Sequence, residues 1–213
     1  MEWFQGNGGA DTIDGGRGTS APMDASNLEI NFVRYNSATA GVTVNLATGQ
    51  AAHDGVDMDA GTVGMQDSAD TLIGINAVCA SGFNDPLTGG NPTFDYVEQF
   101  NGSGGNDAID GGSGFDYAMY RDAATGVTVN LSTNTASDGL GGTDTLANIE
   151  GVIGSDFNDT LTGSANNDVF QGRAGNDSID GGAGTADRID YHNDQDWNGD
   201  GFGVAVNLTG SAK

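Results

Sequence analysis

Apolar residues in this chain come singly, at fixed intervals, between polar neighbours. The pattern is clearest over Gly154–Asp190, where Gly154, Gly163, Gly172 and Gly181 fall nine residues apart. Asp159, Asp168 and Asp177 keep the same step, and Leu161, Phe170 and Ile179 each follow an aspartate by two positions. One large apolar residue between two mostly polar ones reads as a very short strand with a single inward side chain. The glycines ahead of it mark a tight turn. A unit this small cannot bury its apolar face alone, so burial requires stacked copies. If two units complete one coil, residues 18 apart stack. Leu161 then lies under Ile179, Phe170 faces both from an opposite sheet, and Asp159 comes near Asp177.

A second pattern interrupts the first. GVTVNL at 41–46 alternates Val42, Val44 and Leu46 with Thr43 and Asn45, and it recurs at 126–131 and, as GVAVNL, at 203–208. This is a longer period-two strand. A DTL-containing spacer at 70–90 recurs at 144–164, and FNGSGGNDAIDGGSG (100–114) recurs at 170–184 and, earlier, at 4–18. The expected organisation is a partial module at 1–40, a second at 41–125, a third at 126–202, and the start of a further one at 203–213. Both ends fall inside a module, which suggests a piece of a longer array or a chain that packs end to end with copies of itself. No helical stripe is sustained. At most, 148–152 is expected to make one turn of helix.

Charge changes the picture from geometry to chemistry. The chain has 213 residues, 37 glycines and a net charge of −24. Its acids are nearly all aspartate: Glu2, Glu29, Glu98 and Glu150 are the only glutamates among 30 acidic residues. Aspartate is preferred where a short carboxylate must sit in a turn or meet a hard cation from a tight loop. Six basic residues cannot balance this charge, and without a counter-ion it opposes compaction. Divalent cations are the missing partner; nucleic acid is not expected, because there is no basic patch. A glycine-rich turn leaves carbonyls unpaired, and carbonyls with a carboxylate make an all-oxygen cage suited to Ca²⁺. Two carboxylates as close as stacked Asp159 and Asp177 would repel without an ion between them.

These units resemble the RTX, or haemolysin-type, calcium-binding repeats, whose nonapeptide reads GGxGxDxUx with U a large apolar residue. The resemblance implies an all-β fold, a right-handed parallel β-roll or β-solenoid with several Ca²⁺ ions in the turns. It implies that each ion is shared between position-6 aspartates and backbone carbonyls of successive turns on one side. Asp159 and Asp177 would share one ion with carbonyls of Ser155, Phe157, Gly172 and Ala174. Asp168 would share the next with carbonyls of Ser164, Asn166, Gly181 and Ala183, although GGAGTADRID has Ala186 at the expected position and Asp187 one residue late. Asp85 and Asp107 are 22 apart because of an insertion around Pro92–Tyr96, and would pair with Gly102 and Gly104. Asp116 would face Glu98. Asp11 closes GNGGAD, but the following turn has Ser20 where aspartate is expected. Asp14, Asp110 and Asp180, at position 9, are expected in solvent.

The resemblance further implies an extracellular or cell-surface location, a bacterial source, type I secretion and folding on Ca²⁺ outside the cell. The leading expectation is a structural segment of an adhesin, surface-layer or filament protein. Alternatives are the accessory module of a secreted protease, lipase or alginate epimerase, or a solenoid that binds ice or polysaccharide. No catalytic constellation is recognisable, so no enzyme activity is expected within the chain. His53 and His192 match no zinc signature. The stretch 194–200 imitates half of an EF-hand loop but lacks glutamate at the twelfth position, and Asp57 and Asp59 are weaker metal candidates still. Asp85-Pro86 reads as a proline substitution in a turn. Cys79 reads as a small buried residue, and no disulfide is possible with one cysteine. MEWFQGNGG has neither a basic start nor an apolar run, and no segment is apolar enough to span a membrane.

Overall fold

The computed structural model describes residues 2–5, 10–16, 30–52, 69–90 and 97–191. Among them every regular element is a strand. In chain order these are β1 (Glu2–Gln5), β2 (Thr12–Asp14), β3 (Asn31–Arg34), β4 (Thr43–Asn45), β5 (Gln50–Ala52), β6 (Asp70–Ile73), β7 (Ala77–Cys79), β8 (Pro86–Thr88) and β9 (Val97–Asn101). They continue with β10 (Ala108–Asp110), β11 (Phe115–Met119), β12 (Thr128–Asn130), β13 (Thr135–Ser137), β14 (Thr143–Ala147), β15 (Gly151–Ile153), β16 (Thr160–Thr162), β17 (Val169–Gln171), β18 (Ser178–Asp180) and β19 (Arg188–Ile189). Most strands are three residues long, and in those of the second sheet the middle residue is the one turned inward.

The strands form two sheets. One has the order β1-β3-β7-β9-β11-β15-β17-β19, and every pairing in it is parallel. The other runs β18-β16-β12-β13-β14-β10-β8-β4-β5-β6-β2. Apart from β4–β6 and β12–β14, the chain visits the two sheets alternately. Leu161 is in register with Ile179, and Phe170 lies in the other sheet beside Val152. A single apolar cluster draws on both sheets, with Phe100, Val152 and Phe170 from one and Val44, Leu87, Val129 and Leu161 from the other. Each of these is essentially free of solvent, which is worth roughly 1.5–3 kcal/mol per side chain.

The GVTVNL strands do something the period alone does not suggest. β4 pairs with the later β8, then turns back antiparallel through β5 to β6, which pairs with the earlier β2. β12, β13 and β14 repeat the arrangement, β12 beside the later β16 and β14 beside the earlier β10. The reversal is built by the asparagine of GVTVNL. Asn45 Oδ1 accepts the Thr48 N–H at 2.9 Å and Asn130 Oδ1 accepts the Thr133 N–H at 2.9 Å. The next corner needs a left-handed backbone, filled by Gly49 (φ 65°) in one copy and Asn134 (φ 59°) in the other. Both residue types tolerate that region.

The single turn of helix expected at 148–152 does not form. Asn148 adopts φ 50° and bends the chain, after which Gly151–Ile153 is strand β15. Burial of Val152 beside Phe170 outweighs any local helical preference. The third GVxVNL stretch, at 203–208, lies outside the described residues.

Candidate metal centre

In the second sheet, the middle strands β4, β5, β12 and β13 aside, an aspartate stands just before each strand or, as Asp70 in β6 and Asp144 in β14, at its start. These carboxylates form a ladder along the fold. The Asp85 N–H donates to Asp107 Oδ1 at 2.9 Å, the Asp107 N–H to Asp144 Oδ1 at 3.0 Å, and the Asp159 N–H to Asp177 Oδ1 at 3.0 Å. At the other end, the Asp11 N–H donates to Asp70 Oδ1 at 2.9 Å. Where a meander intervenes, valine takes over: the N–H groups of Val42 and Val127 donate to Oδ1 of Asp85 and Asp159 at 2.6 and 2.9 Å. The sequence pairs Asp85 with Asp107 and Asp159 with Asp177 are thus brought together. Asp11 meets Asp70, a residue the nine-residue step does not reach; Ser20 lies outside the described residues.

A second ladder runs along the first sheet. Asp116 is in register with Glu98, and its N–H donates to Glu150 Oε2 at 3.1 Å. The Asp168 N–H donates to Asp187 Oδ1 at 3.0 Å. Asp187, one residue late in sequence, therefore stands where the pattern wants its aspartate. The extra residue is absorbed at Thr185 and Ala186, whose N–H groups both donate to Asn167 Oδ1. Toward the N-terminal end the ladder changes chemistry. Asn31 and Asn76 replace the acids, and the Asn31 amide Nδ2 donates to the carbonyls of Gly15 and Gly74 at 2.8 and 3.2 Å. An amide there bridges the carbonyls of two successive turns.

The turns are of two kinds. Ser81, Ser155 and Ser164 each direct both N–H and hydroxyl at the aspartate four residues on, Asp85, Asp159 and Asp168. Those carboxylates are well supplied with donors. Ser164 also gives its carbonyl to the Ala183 N–H at 2.8 Å, and the Phe157 and Asn166 N–H groups donate to the serine hydroxyls. In the turns beginning at Gly102 and Gly172, glycine is required because a Cβ would collide with the carboxylates of Asp107 and Asp177. Gly104 sits against the Leu140 side chain, Gly181 against Asp187, and Ala174 is half-buried. The position-9 aspartates cap their own turns: Oδ1 of Asp14, Asp110 and Asp180 accept the N–H groups of Gly16, Gly112 and Gly182.

Charge without a partner concentrates elsewhere. Oδ2 of Asp107, Asp138 and Asp144, and both carboxylate oxygens of Asp116, are buried without a hydrogen-bond donor. Burial first, and neighbouring acids second, raise proton affinity here. The Asp107 carboxyl is pushed up to about 8, Asp116 to about 7 and Asp144 to about 6. Asp85, Glu98 and Glu150 also move up, again chiefly through burial. Buried, crowded oxygens lacking donors fit a hard divalent cation, which would supply the positive charge that the chain's few basic groups do not. Among the described residues no three His, Cys, Asp or Glu side chains stand in a finished ligating arrangement.

Sequence reasoning missed Asp70, Asp138, Asp144 and Glu150. A signal existed for Asp144. Gly139-Leu140-Gly141-Gly142-Thr143-Asp144-Thr145-Leu146 follows the same outline as Gly102-Ser103-Gly104-Gly105-Asn106-Asp107-Ala108-Ile109, but 37 residues separate the two aspartates. His53, Asp57, Asp59, His192 and 194–200 lie outside the described residues. Cys79 is buried, as expected.

The RTX calcium-binding nonapeptide repeat matches this chain in four copies, over residues 2–19, 99–118 and 153–185. The matches mark a calcium-binding repeat region. They cover the turns of Asp11, Asp107, Asp116, Asp159, Asp168 and Asp177, and leave Asp70, Asp138, Asp144 and Glu150 outside. No curated protein matches the chain. Among the described residues no helix is long and apolar enough to cross a membrane.

Proposed function

We propose that the chain is a calcium-driven structural segment of a secreted bacterial surface protein, of adhesin, surface-layer or filament type, without catalytic activity of its own. In this reading the two sheets are the walls of a right-handed parallel β-roll, and several Ca²⁺ ions occupy its turns along the two acidic ladders. The observation that carries it is the set of buried carboxylate oxygens without donors at Asp107, Asp116 and Asp144, in or beside turns of the RTX repeat. A net charge of −24 keeps the ion-free chain open, and mass action of Ca²⁺ closes it. Secretion unfolded, followed by folding in calcium-rich surroundings, and end-to-end packing with neighbouring repeats follow from the same reading. A circular-dichroism titration tests it: chelated protein should give a coil spectrum that converts cooperatively to β on adding Ca²⁺. A chelated chain already fully β, or a spectrum indifferent to Ca²⁺, would overturn the proposal.

A further inference from the structure

The rungs nearest the N-terminal end of the fold differ in kind from the rest. Asn31 and Asn76 hold the ladder positions that Glu98, Asp116, Glu150, Asp168 and Asp187 hold further along the first sheet. The backbone contact is the same. The Asn31 N–H donates to Asn76 Oδ1 at 2.9 Å, as the Asp116 N–H does to Glu150 and the Asp168 N–H to Asp187. What changes is the other end of the side chain. A carboxylate brings a second acceptor there, whereas an amide brings a donor. Asn31 Nδ2 donates to the Gly15 and Gly74 carbonyls, and Asn76 Nδ2 to the Val97 carbonyl at 3.1 Å. Both side chains are buried. The Asn31 amide fills the gap between two turns so closely that a Cβ at Gly15 would collide with it.

The second ladder is satisfied in the same coils by a different donor. Asp70, 1 % exposed, accepts the Asp11 N–H through Oδ1 and the buried Tyr35 hydroxyl, at 3.0 Å, through Oδ2. Both oxygens of this buried carboxylate therefore have donors from the chain itself. Asp107 and Asp116 show the contrast, since one oxygen of the first and both of the second are buried without any. Asn31 Oδ1 is also buried and unpaired, but it is neutral, and a neutral acceptor costs far less to bury than a charge. The coils around Asn31, Asp70 and Asn76 are tied by β2 on β6 and β3 on β7, over Ile13, Val33, Leu72 and Val78 in the core.

We propose that these coils are a calcium-independent nucleus, closed by the amides of Asn31 and Asn76 and the hydroxyl of Tyr35, on which the acidic coils dock as ions arrive. The inference rests on the calcium-driven reading above for the rest of the chain and makes the opposite claim for this part of it. Ion dependence begins at Glu98, where the first-sheet ladder turns acidic. In the nucleus, β7 already offers β9 a parallel edge before any ion is bound. Withdrawing Ca²⁺ opens the acidic rungs first and the amide rungs last, so the ion-free chain keeps a template from which to close again.

Hydrogen–deuterium exchange of the full chain, read by mass spectrometry in chelator and in saturating Ca²⁺, tests this. In chelator, residues 30–35 and 70–80 should exchange at least about tenfold more slowly than 102–119 and 159–180, because local stability sets exchange. Asn76→Asp puts an acceptor where the Val97 carbonyl now has a donor, and should abolish that protection in chelator. Tyr35→Phe removes one oxygen atom and keeps the packing ring, so it decides the matter if Asn76→Asp does not fold. It should speed exchange at 70–80 in chelator about tenfold, the worth of one hydrogen bond to a charged group, and leave 159–180 in Ca²⁺ as in wild type. If chelated wild type exchanges 30–35 and 70–80 as fast as 159–180, while Ca²⁺ protects all of them, the nucleus is wrong and the calcium reading stands. The nucleus is equally wrong if both variants keep the chelated protection. If chelated wild type is protected throughout and Ca²⁺ changes nothing, both fall.

Discussion

Replacing a proposed calcium ligand should make the ion-free protein more stable, if the buried acids are what hold it open. Asp107→Asn is the sharpest case. Asp107 is 2 % exposed, and its carboxyl is pushed from an ordinary 3.8 up to about 8, chiefly by burial and then by Asp144, Asp85 and Asp138. Without an ion at about pH 7.5, the folded chain must take up a proton there that the unfolded chain has released. That costs roughly 1.4 kcal/mol per pH unit above 3.8, or about 5 kcal/mol as an upper bound. Relaxation of the site reduces this to about 2–5 kcal/mol. Asparagine needs no proton. Its Oδ1 still accepts the Asp85 N–H, and its Nδ2 becomes a donor in a cluster where Oδ2 of Asp138 and of Asp144 has none. With chelator present, Asp107→Asn should show more β signal by circular dichroism and a higher urea midpoint than wild type. With Ca²⁺ it should bind one ion fewer and gain less stability. Should the chelated variant be as open as wild type, or more so, repulsion within this cluster is not what opposes folding.

Acid should partly replace calcium. Asp107, Asp116 and Asp144 titrate in the fold at about 8, 7 and 6 instead of 3.8. A raised carboxyl stabilises the ion-free fold fully below about pH 4, and that stability is lost as pH rises through 6 to 8. Chelated protein should therefore gain β signal between about pH 8.5 and 5, and a flat or opposite profile would contradict the burial of these acids. Asp177→Ala and Asp180→Ala separate ligation from turn capping. The first should remove an ion from the calorimetric stoichiometry, because Asp177 anchors the Asp159 turn. The second loses one bond to the Gly182 N–H, about 1 kcal/mol, and should leave the ion count intact; equal effects would refute the position-6 assignment.

Much of this arrangement is legible from spacing where spacing is unbroken. The step of 18 residues pairs Asp159 with Asp177 and Leu161 with Ile179 because nothing intervenes between the two coils. Asp187 tolerates a slip of one residue because Asn167 gathers two N–H groups from the longer turn. The method fails where a meander separates spatial neighbours. Asp144 is the next rung after Asp107, yet β10, β11, β12 and β13 lie between them in the chain. Asp70 is harder to find, since no glycine turn directly precedes it and only the Asp-Thr-Leu it shares with 144–146 identifies it. Asp138 lies outside the nonapeptide positions, at the end of the repeat that begins with GVTVNL, and its burial and donorless Oδ2 are features that sequence does not display. The helix turn expected at 148–152 fails for a related reason: long-range stacking of Val152 decides its conformation.

The doubling back of β4–β6 and β12–β14 has a kinetic consequence. A simple solenoid can lengthen one coil at a time, each new strand docking on the last. Here β12 has no lasting neighbour on its outer side until β16 is made, and β14 must reach back past it to β10. Whichever end is available first, growth has to stall at each meander until roughly a whole module is present, then complete it at once. The repeat that counts for assembly is therefore the module and not the nonapeptide, and partly emerged chain waits in an open state that is protected from premature stacking.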